Sequence, residues 1–231
     1  MKEELSRLAL IAGEDKVNKL QNAKVAVFGL GGVGGAVIEA LARSGIGSFV
    51  LVDNDTVAKS NINRQIIALS DNIGQKKTQA AKERILKINP DANITLFDCF
   101  YLPGNEDNII DGCDFVVDAI DTVSGKIELI KDAKEKNIPI ISCMGTGNKF
   151  DPSKLKITDI SKTSVCPLCR VMRRELKNRN ISKVTVLWSD EEPTKPKYEV
   201  GEKTPPGSFM PVTATAGLMI AGHVILKLME K

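Results

Sequence analysis

At 231 residues with 42% apolar content, the chain can bury a substantial core as one domain and still carry a C-terminal elaboration. A net charge of only +3 excludes a chain that is polybasic throughout, and the one apolar stretch of note, 211–227, holds threonines and His223 and falls short of the ~20 residues a membrane span needs. Five cysteines, an odd number behind an acidic N-terminus with no apolar leader, predict a reducing, cytoplasmic setting.

Residues 24–29 are a short apolar run ending in glycine, the pattern of a buried parallel strand. A small-residue helix over 33–44 comes next, with Ile38, Leu41 and Ala42 on one face, and then a strand over 48–53 that ends in an acid. Strand, glycine turn, helix, strand-plus-acid is the unit that sets a pyrophosphate on a helix N-terminus and a ribose on a carboxylate. Strands at 93–98, 114–118 and 138–143, separated by helices at 74–88 and 124–136, predict an α/β fold: a Rossmann-like, doubly wound, mostly parallel sheet. Past residue 150 the pattern gives a strand at 154–160, a basic helix over 167–179, a strand at 183–188, a proline-rich and charged loop over 190–208, and a final Ala- and Gly-rich helix from 212. The expectation is a single domain over 1–231, with a nucleotide-binding core at 1–150 and a substrate-facing elaboration at 151–231.

The glycine loop Gly29-Leu30-Gly31-Gly32-Val33-Gly34 fits any dinucleotide or nucleotide. Gly29 permits the tight turn, Gly31 or Gly32 admits phosphate, and Gly34 lets the helix pack on the strand. Asp53, in Asp53-Asn54-Asp55, is the expected ribose acceptor, and Asp55 joins the nucleotide-binding set. The residues downstream of these favour a triphosphate that is cleaved. Asn61 and Arg64, in Ser60-Asn61-Ile62-Asn63-Arg64-Gln65, and Lys77, in Gly74-Gln75-Lys76-Lys77, supply donors that a departing pyrophosphate needs and hydride transfer does not. A lysine at a helix start opposes the helix dipole, and an anionic ligand would account for it. Asp121, beyond the apolar run Phe115-Val116-Val117, sits where a strand's carboxyl end meets ligands and suits magnesium.

The ordered series GLGGVG, LVDNDTV, SNINRQ, GQKK and DAIDT resembles the adenylating fold of the ubiquitin-activating superfamily, in its bacterial ThiF/MoeB/HesA branch. That resemblance implies ATP-dependent adenylation of a carboxylate by a homodimer. Gly32, Asp53, Asn61, Arg64 and Lys77 would bind ATP, Asp121 would bind Mg2+, and Arg7 would reach ATP in the neighbouring subunit. Sulfur-carrier activators of this superfamily usually bind zinc through two Cys-x-x-Cys pairs. Here only Cys166-Pro167-Leu168-Cys169 exists, so structural zinc is not expected. The pair reads as incidental to a helix start, with a redox role as the other reading. Cys99, Cys113 and Cys143 read as small packed hydrophobes.

Asp151-Pro152, the stretch 158–163 and Pro167-Leu168 followed by Arg170-Val171-Met172-Arg173-Arg174-Glu175-Leu176 extend the resemblance to the tRNA threonylcarbamoyladenosine dehydratases. These are ligase-like enzymes. The resemblance implies adenylation of the threonyl carboxylate of threonylcarbamoyl-modified tRNA, then internal ring closure with loss of AMP, and it hints at a cysteine desulfurase system as a partner. No enzyme nucleophile is required, because ring closure is intramolecular. Arg170, Arg173, Arg174 and Lys177 fall at i, i+3, i+4, i+7 and form a cationic stripe able to track a phosphate backbone, or simply a solvated face. His223 reads as a packed residue without a catalytic role. The rival readings are a sulfur-carrier adenylyltransferase acting on a C-terminal Gly-Gly, an NAD-dependent oxidoreductase, and a non-catalytic nucleotide-binding adaptor.

Overall fold

The computed structural model describes residues 2–102, 104, 108–199 and 204–230. Two short helices, α1 (Ser6–Ala12) and α2 (Glu14–Asn22), precede β1 (Lys24–Phe28). They carry no part of the predicted pattern. After them come α3 (Gly32–Arg43), β2 (Ser48–Val52), α4 (Lys77–Ile88), β3 (Asn93–Phe97), β4 (Phe115–Asp118), α5 (Val123–Glu135) and β5 (Ile140–Cys143). The chain closes with β6 (Leu155–Asp159), α6 (Pro167–Asn178), β7 (Thr185–Ser189) and α7 (Met210–Glu230).

Seven strands form one sheet in the order β3-β2-β1-β4-β5-β7-β6. All neighbours are parallel except the edge pair β6/β7. The doubly wound, mostly parallel sheet expected from the sequence is the fold observed, and the sheet runs on without interruption past residue 150. Its inner strands are buried on both faces, as strands covered by helices on both sides must be. Val25, Val27, Phe49, Leu51, Phe115 and Val117 face the layer built from α2, α3, α4 and α7. Ala26, Phe28, Val50, Val52 and Val116 face the layer built from α5 and α6.

The helix α7 is long and apolar enough to cross a membrane, yet half of its most apolar window is buried within the protein. It lies against α3 so closely that a Cβ on Gly217 would stand 2.4 Å from Val33 O. Val212, Ala216, Ile220, Val224 and Leu228 fill the core beneath it. His223 meets the Phe115 ring edge-on at 6.2 Å, and burial lowers its pKa.

Among the boundaries that differ from the sequence reading, three have a clear local reason. The helix expected from 74 begins at Lys77, because the preceding segment pairs with 55–57. Gly74 N and Val57 N donate to Val57 O and Gln75 O at 2.8 Å, and Lys77 N donates to Asp55 O at 3.0 Å. The strand expected from 183 begins at Thr185 because Lys183 has φ +55°, outside the β region. The strand expected from 138 begins at Ile140, after the left-handed Asn137.

Candidate active site

A cleft of about 450 Å³ opens at the carboxyl ends of β1, β2 and β4, where doubly wound sheets bind ligands. Its wall brings together Gly29, Gly31, Gly32, Asp53, Asp55, Asn61, Arg64, Lys77 and Asp121, nine residues singled out from sequence. Gly34 lies behind the wall, where a Cβ would fall 1.8 Å from Gly29 O; close helix–strand contact is what its lack of a side chain permits. Gly29 is required twice over. Its φ is +84°, and a Cβ there would meet Ala119 O at 2.5 Å.

The first turn of α3 points its amides, which have no partners within the helix, toward the cleft. Asp53 holds the turn in place: its Oδ2 accepts from Leu30 N at 2.6 Å and its Oδ1 from Asp55 N at 2.9 Å. Burial raises the Asp53 pKa, against the opposing pull of the Leu30 amide and of Lys77. Each of its oxygens keeps acceptor capacity for a ribose hydroxyl.

Lys77 is the first residue of α4, and its Nζ donates to Asp55 Oδ2 at 2.7 Å. The cation at this helix start is thus offset within the protein by Asp55 as well as being open to a ligand in the cleft. Asn61 caps its own turn, its Oδ1 accepting from Ala58 N at 3.0 Å. Arg64 Nη1 donates to Ser60 O at 2.7 Å and Asn63 Oδ1 at 2.9 Å, which holds a half-buried guanidinium at the cleft wall.

Asp121 is exposed on the loop after β4. Beneath that loop lies a buried network with no counterpart in the sequence reading. Lys126 Nζ donates to Asp118 Oδ1 at 3.1 Å, to Asp118 Oδ2 at 3.2 Å and to Cys143 O at 2.6 Å. Asp118 also accepts from Ile120 N at 3.0 Å and from Ser142 Oγ. One lysine of α5 therefore ties the ends of β4 and β5 to the loop that presents Asp121. In sequence, Lys126 looks like any lysine on an amphipathic helix.

Other lining residues were also missed: Gln65, Thr146, Gly147, Pro205–Ser208 and Thr213. Thr146 and Gly147 had a readable signal, a Gly-Thr-Gly run directly after a strand. Pro205–Ser208 had none beyond membership of the 190–208 loop, of which 200–203 lie outside the described residues.

Two groups stand away from the cleft. Arg7 is exposed on α1 and does not line it. On α6, Cys169, Met172 and Leu176 face the core, so the cationic residues flank a buried stripe. Arg173 turns inward, donating to Thr163 O at 2.9 Å and to Thr163 Oγ1. Arg174 pairs with Glu175 at 3.1 Å, while Arg170 and Lys177 are exposed. The stripe is thus three outward cations and one that closes a structural contact.

Cys166 and Cys169 are both buried at the start of α6. The Cys169 thiol directed at Cys166 Sγ, with the amides of Cys169, Gly145 and Leu168, lowers the Cys166 pKa to about 5 despite burial. The Cys169 pKa moves upward for the same reason. Among the described residues, no three His, Cys, Asp or Glu side chains are grouped to hold a metal ion.

The model of the ThiF family matches residues 3–231. A Bacillus subtilis protein named tRNA threonylcarbamoyladenosine dehydratase is 41% identical over 244 aligned positions, covering 100% of this chain and 96% of its own length. The Escherichia coli protein of the same name is 34% identical, covering 96% and 92%. A crystal structure of the E. coli enzyme in complex with ATP superposes with a TM-score of 0.90 at 35% identity, covering 99% of this chain and 94% of that one. The chain belongs to the ThiF family, and within it to the tRNA threonylcarbamoyladenosine dehydratases.

Proposed function

We propose that this protein uses ATP to adenylate the threonyl carboxylate of threonylcarbamoyladenosine in tRNA, and that the activated carboxyl then closes into a hydantoin-type ring with release of AMP. The observation that carries this reading is the convergence of a helix N-terminus, Asp53, Arg64, Lys77 and Asp121 on one cleft, in a chain that matches dehydratases along its whole length.

Asp53 would accept the ribose hydroxyls, and the α3 amides would face the phosphates. Arg64 and Lys77 would stabilise charge on the pyrophosphate as the carboxylate oxygen attacks the α-phosphorus and the α–β bond breaks. The residues fit magnesium bound as this ion usually is, through one carboxylate plus phosphate oxygens and water: Asp121 would hold it. The ion would neutralise phosphate charge. Ring closure then needs only the substrate's own carbamoyl nitrogen. It expels AMP, so the net loss is one water, and holding the two groups together supplies much of the acceleration. No step consumes sulfur, so a sulfur-donor partner has no role in this chemistry. The protein would act as a homodimer in the cytoplasm, with Arg7 of the partner subunit completing each cleft. The exposed Leu10 and Ile11 on the same helix supply apolar surface for such contact. The outward cations Arg170, Arg174 and Lys177 would meet tRNA phosphates.

The test is ATP–pyrophosphate exchange with threonylcarbamoylated and unmodified tRNA. Exchange confined to the modified tRNA, abolished by Arg64→Ala, and a product nucleoside lighter by one water are the expected results. Exchange with neither tRNA would refute the substrate, and full activity of Arg64→Ala would refute that residue's role.

A further inference from the structure

With ribose on Asp53 at the end of β2 and phosphates over α3 beside β1, as proposed above, the wall past β4 and β5 would receive the second substrate. There Thr146, Gly147 and Pro205–Ser208 line the cleft. The two segments are laced together: Asn148 N donates to Gly207 O at 2.8 Å and Gly207 N to Asn148 Oδ1 at 2.6 Å. Asn63 Nδ2 reaches Ser208 O at 3.3 Å, which joins this wall to the segment bearing Arg64.

Directly beyond each segment stands an exposed phenylalanine. Phe150 is 61% exposed and Phe209 40%, and their rings meet at 5.5 Å with planes inclined at 51°. The chain has seven phenylalanines, of which Phe28, Phe49 and Phe115 are buried in the core. Leaving two rings in water forgoes the burial that normally places them inside. They are also held firmly. Phe150 N and Asp151 N both donate to the Glu191 carboxylate at 2.9 Å, and Phe209 O accepts from Val212 N and Thr213 N at the start of α7. Thr194 N donates to Asn148 O at 2.7 Å, which brings the exposed Lys195 to the same rim, while the Glu191 carboxylate is occupied by the two amides.

We infer that Phe150 and Phe209 form an aromatic platform at the mouth of the cleft, on which an unpaired base neighbouring the reacting nucleotide stacks. The inference rests on the RNA substrate proposed above. A nucleotide whose side arm must reach a phosphorus inside the cleft has to leave its own stack, and rings at the rim replace the contact its neighbour loses. Stacking tolerates any base, so the platform would hold the loop without reading its sequence.

The probe is an RNA stem-loop carrying the threonylcarbamoyl nucleotide in its loop and 2-aminopurine beside it. Wild-type protein should quench its fluorescence. The pair Phe150→Leu and Phe209→Leu keeps apolar bulk but should abolish the quench and lower kcat/KM for modified tRNA roughly ten- to hundredfold. The KM for ATP should stay unchanged, and the corresponding tyrosine pair should retain wild-type behaviour. Quenching that survives in the leucine pair, equal behaviour of leucine and tyrosine, or a changed oligomeric mass in the leucine pair would overturn the platform; the last would make the rings a subunit contact. Wild-type protein that quenches but forms no AMP would refute the reaction and leave the platform. Protein that forms AMP without quenching would do the reverse.

Discussion

On the β2 side of the cleft Lys77 meets Asp55 at 2.7 Å, and under the β4 side Lys126 meets Asp118 at 3.1 and 3.2 Å. Side-chain exposure separates them. Lys77 is 7% exposed but its carboxylate partner 57%, whereas Lys126 and Asp118 stand at 1% and 0%. An anion entering the cleft can take Asp55's place, because that carboxylate returns to water at little cost. Lys126 has three acceptors around its ammonium group, and Asp118 has further donors on both oxygens, so nothing there can be exchanged. The same pair of residue types makes a replaceable holder in one wall and a permanent brace in the other.

The contrast breaks first at the brace. Lys126→Met leaves Asp118 uncompensated and should lower stability by about 3–5 kcal/mol, read from urea unfolding. Adding Asp118→Asn should recover part of that loss; a double variant no better than the single would show that the pair is not coupled. Lys77→Met should do the opposite. Turnover should fall about a hundred- to thousandfold, while stability moves by no more than about 1 kcal/mol because Asp55 is largely solvated.

The smallest effect concerns the buried pair Cys166 and Cys169. The Cys169 thiol is the chief cause that lowers the Cys166 pKa to about 5. A group whose folded pKa lies below its unfolded value of 9.0 adds stability above pH 9 and loses it as pH falls through about 5. Thiolate absorbance at 240 nm should therefore vanish with a midpoint near pH 5 and be missing in Cys166→Ser, whose stability should vary less across that window. A midpoint near 9 would mean that the cysteine pair does not bias its own titration.

The brace also marks where sequence reading stops. The holder was legible because glycines, an acid, an arginine and a lysine stand in the order that a nucleotide site sets them. The strands were legible because continuous apolar runs end abruptly at Gly29, Asp53 and Asp118. Lys126 was not, since helical periodicity gives a lysine the same signature whether it meets water or a buried aspartate. Arg173 misled for the converse reason. Its spacing put it in a cationic stripe, but the position beside the buried Cys169 and Leu176 turns its guanidinium onto Thr163. The start of α4 at Lys77 depended on hydrogen bonds to residues some twenty positions earlier, which no local window contains.

The close seat of α7 on α3 has a consequence in the order of synthesis. Residues of the glycine turn leave the ribosome well before α7, yet Thr213 lines the cleft they form, and a Cβ at Gly32 would stand 3.0 Å from Thr213 Oγ1. The apolar face of α3 has its cover only when Met210–Glu230 arrives. A nascent chain therefore makes the glycine turn well before it makes the helix that covers α3 and brings Thr213 to the cleft. Synthesis halted ahead of Met210 would leave that face of α3 open to chaperones and proteases.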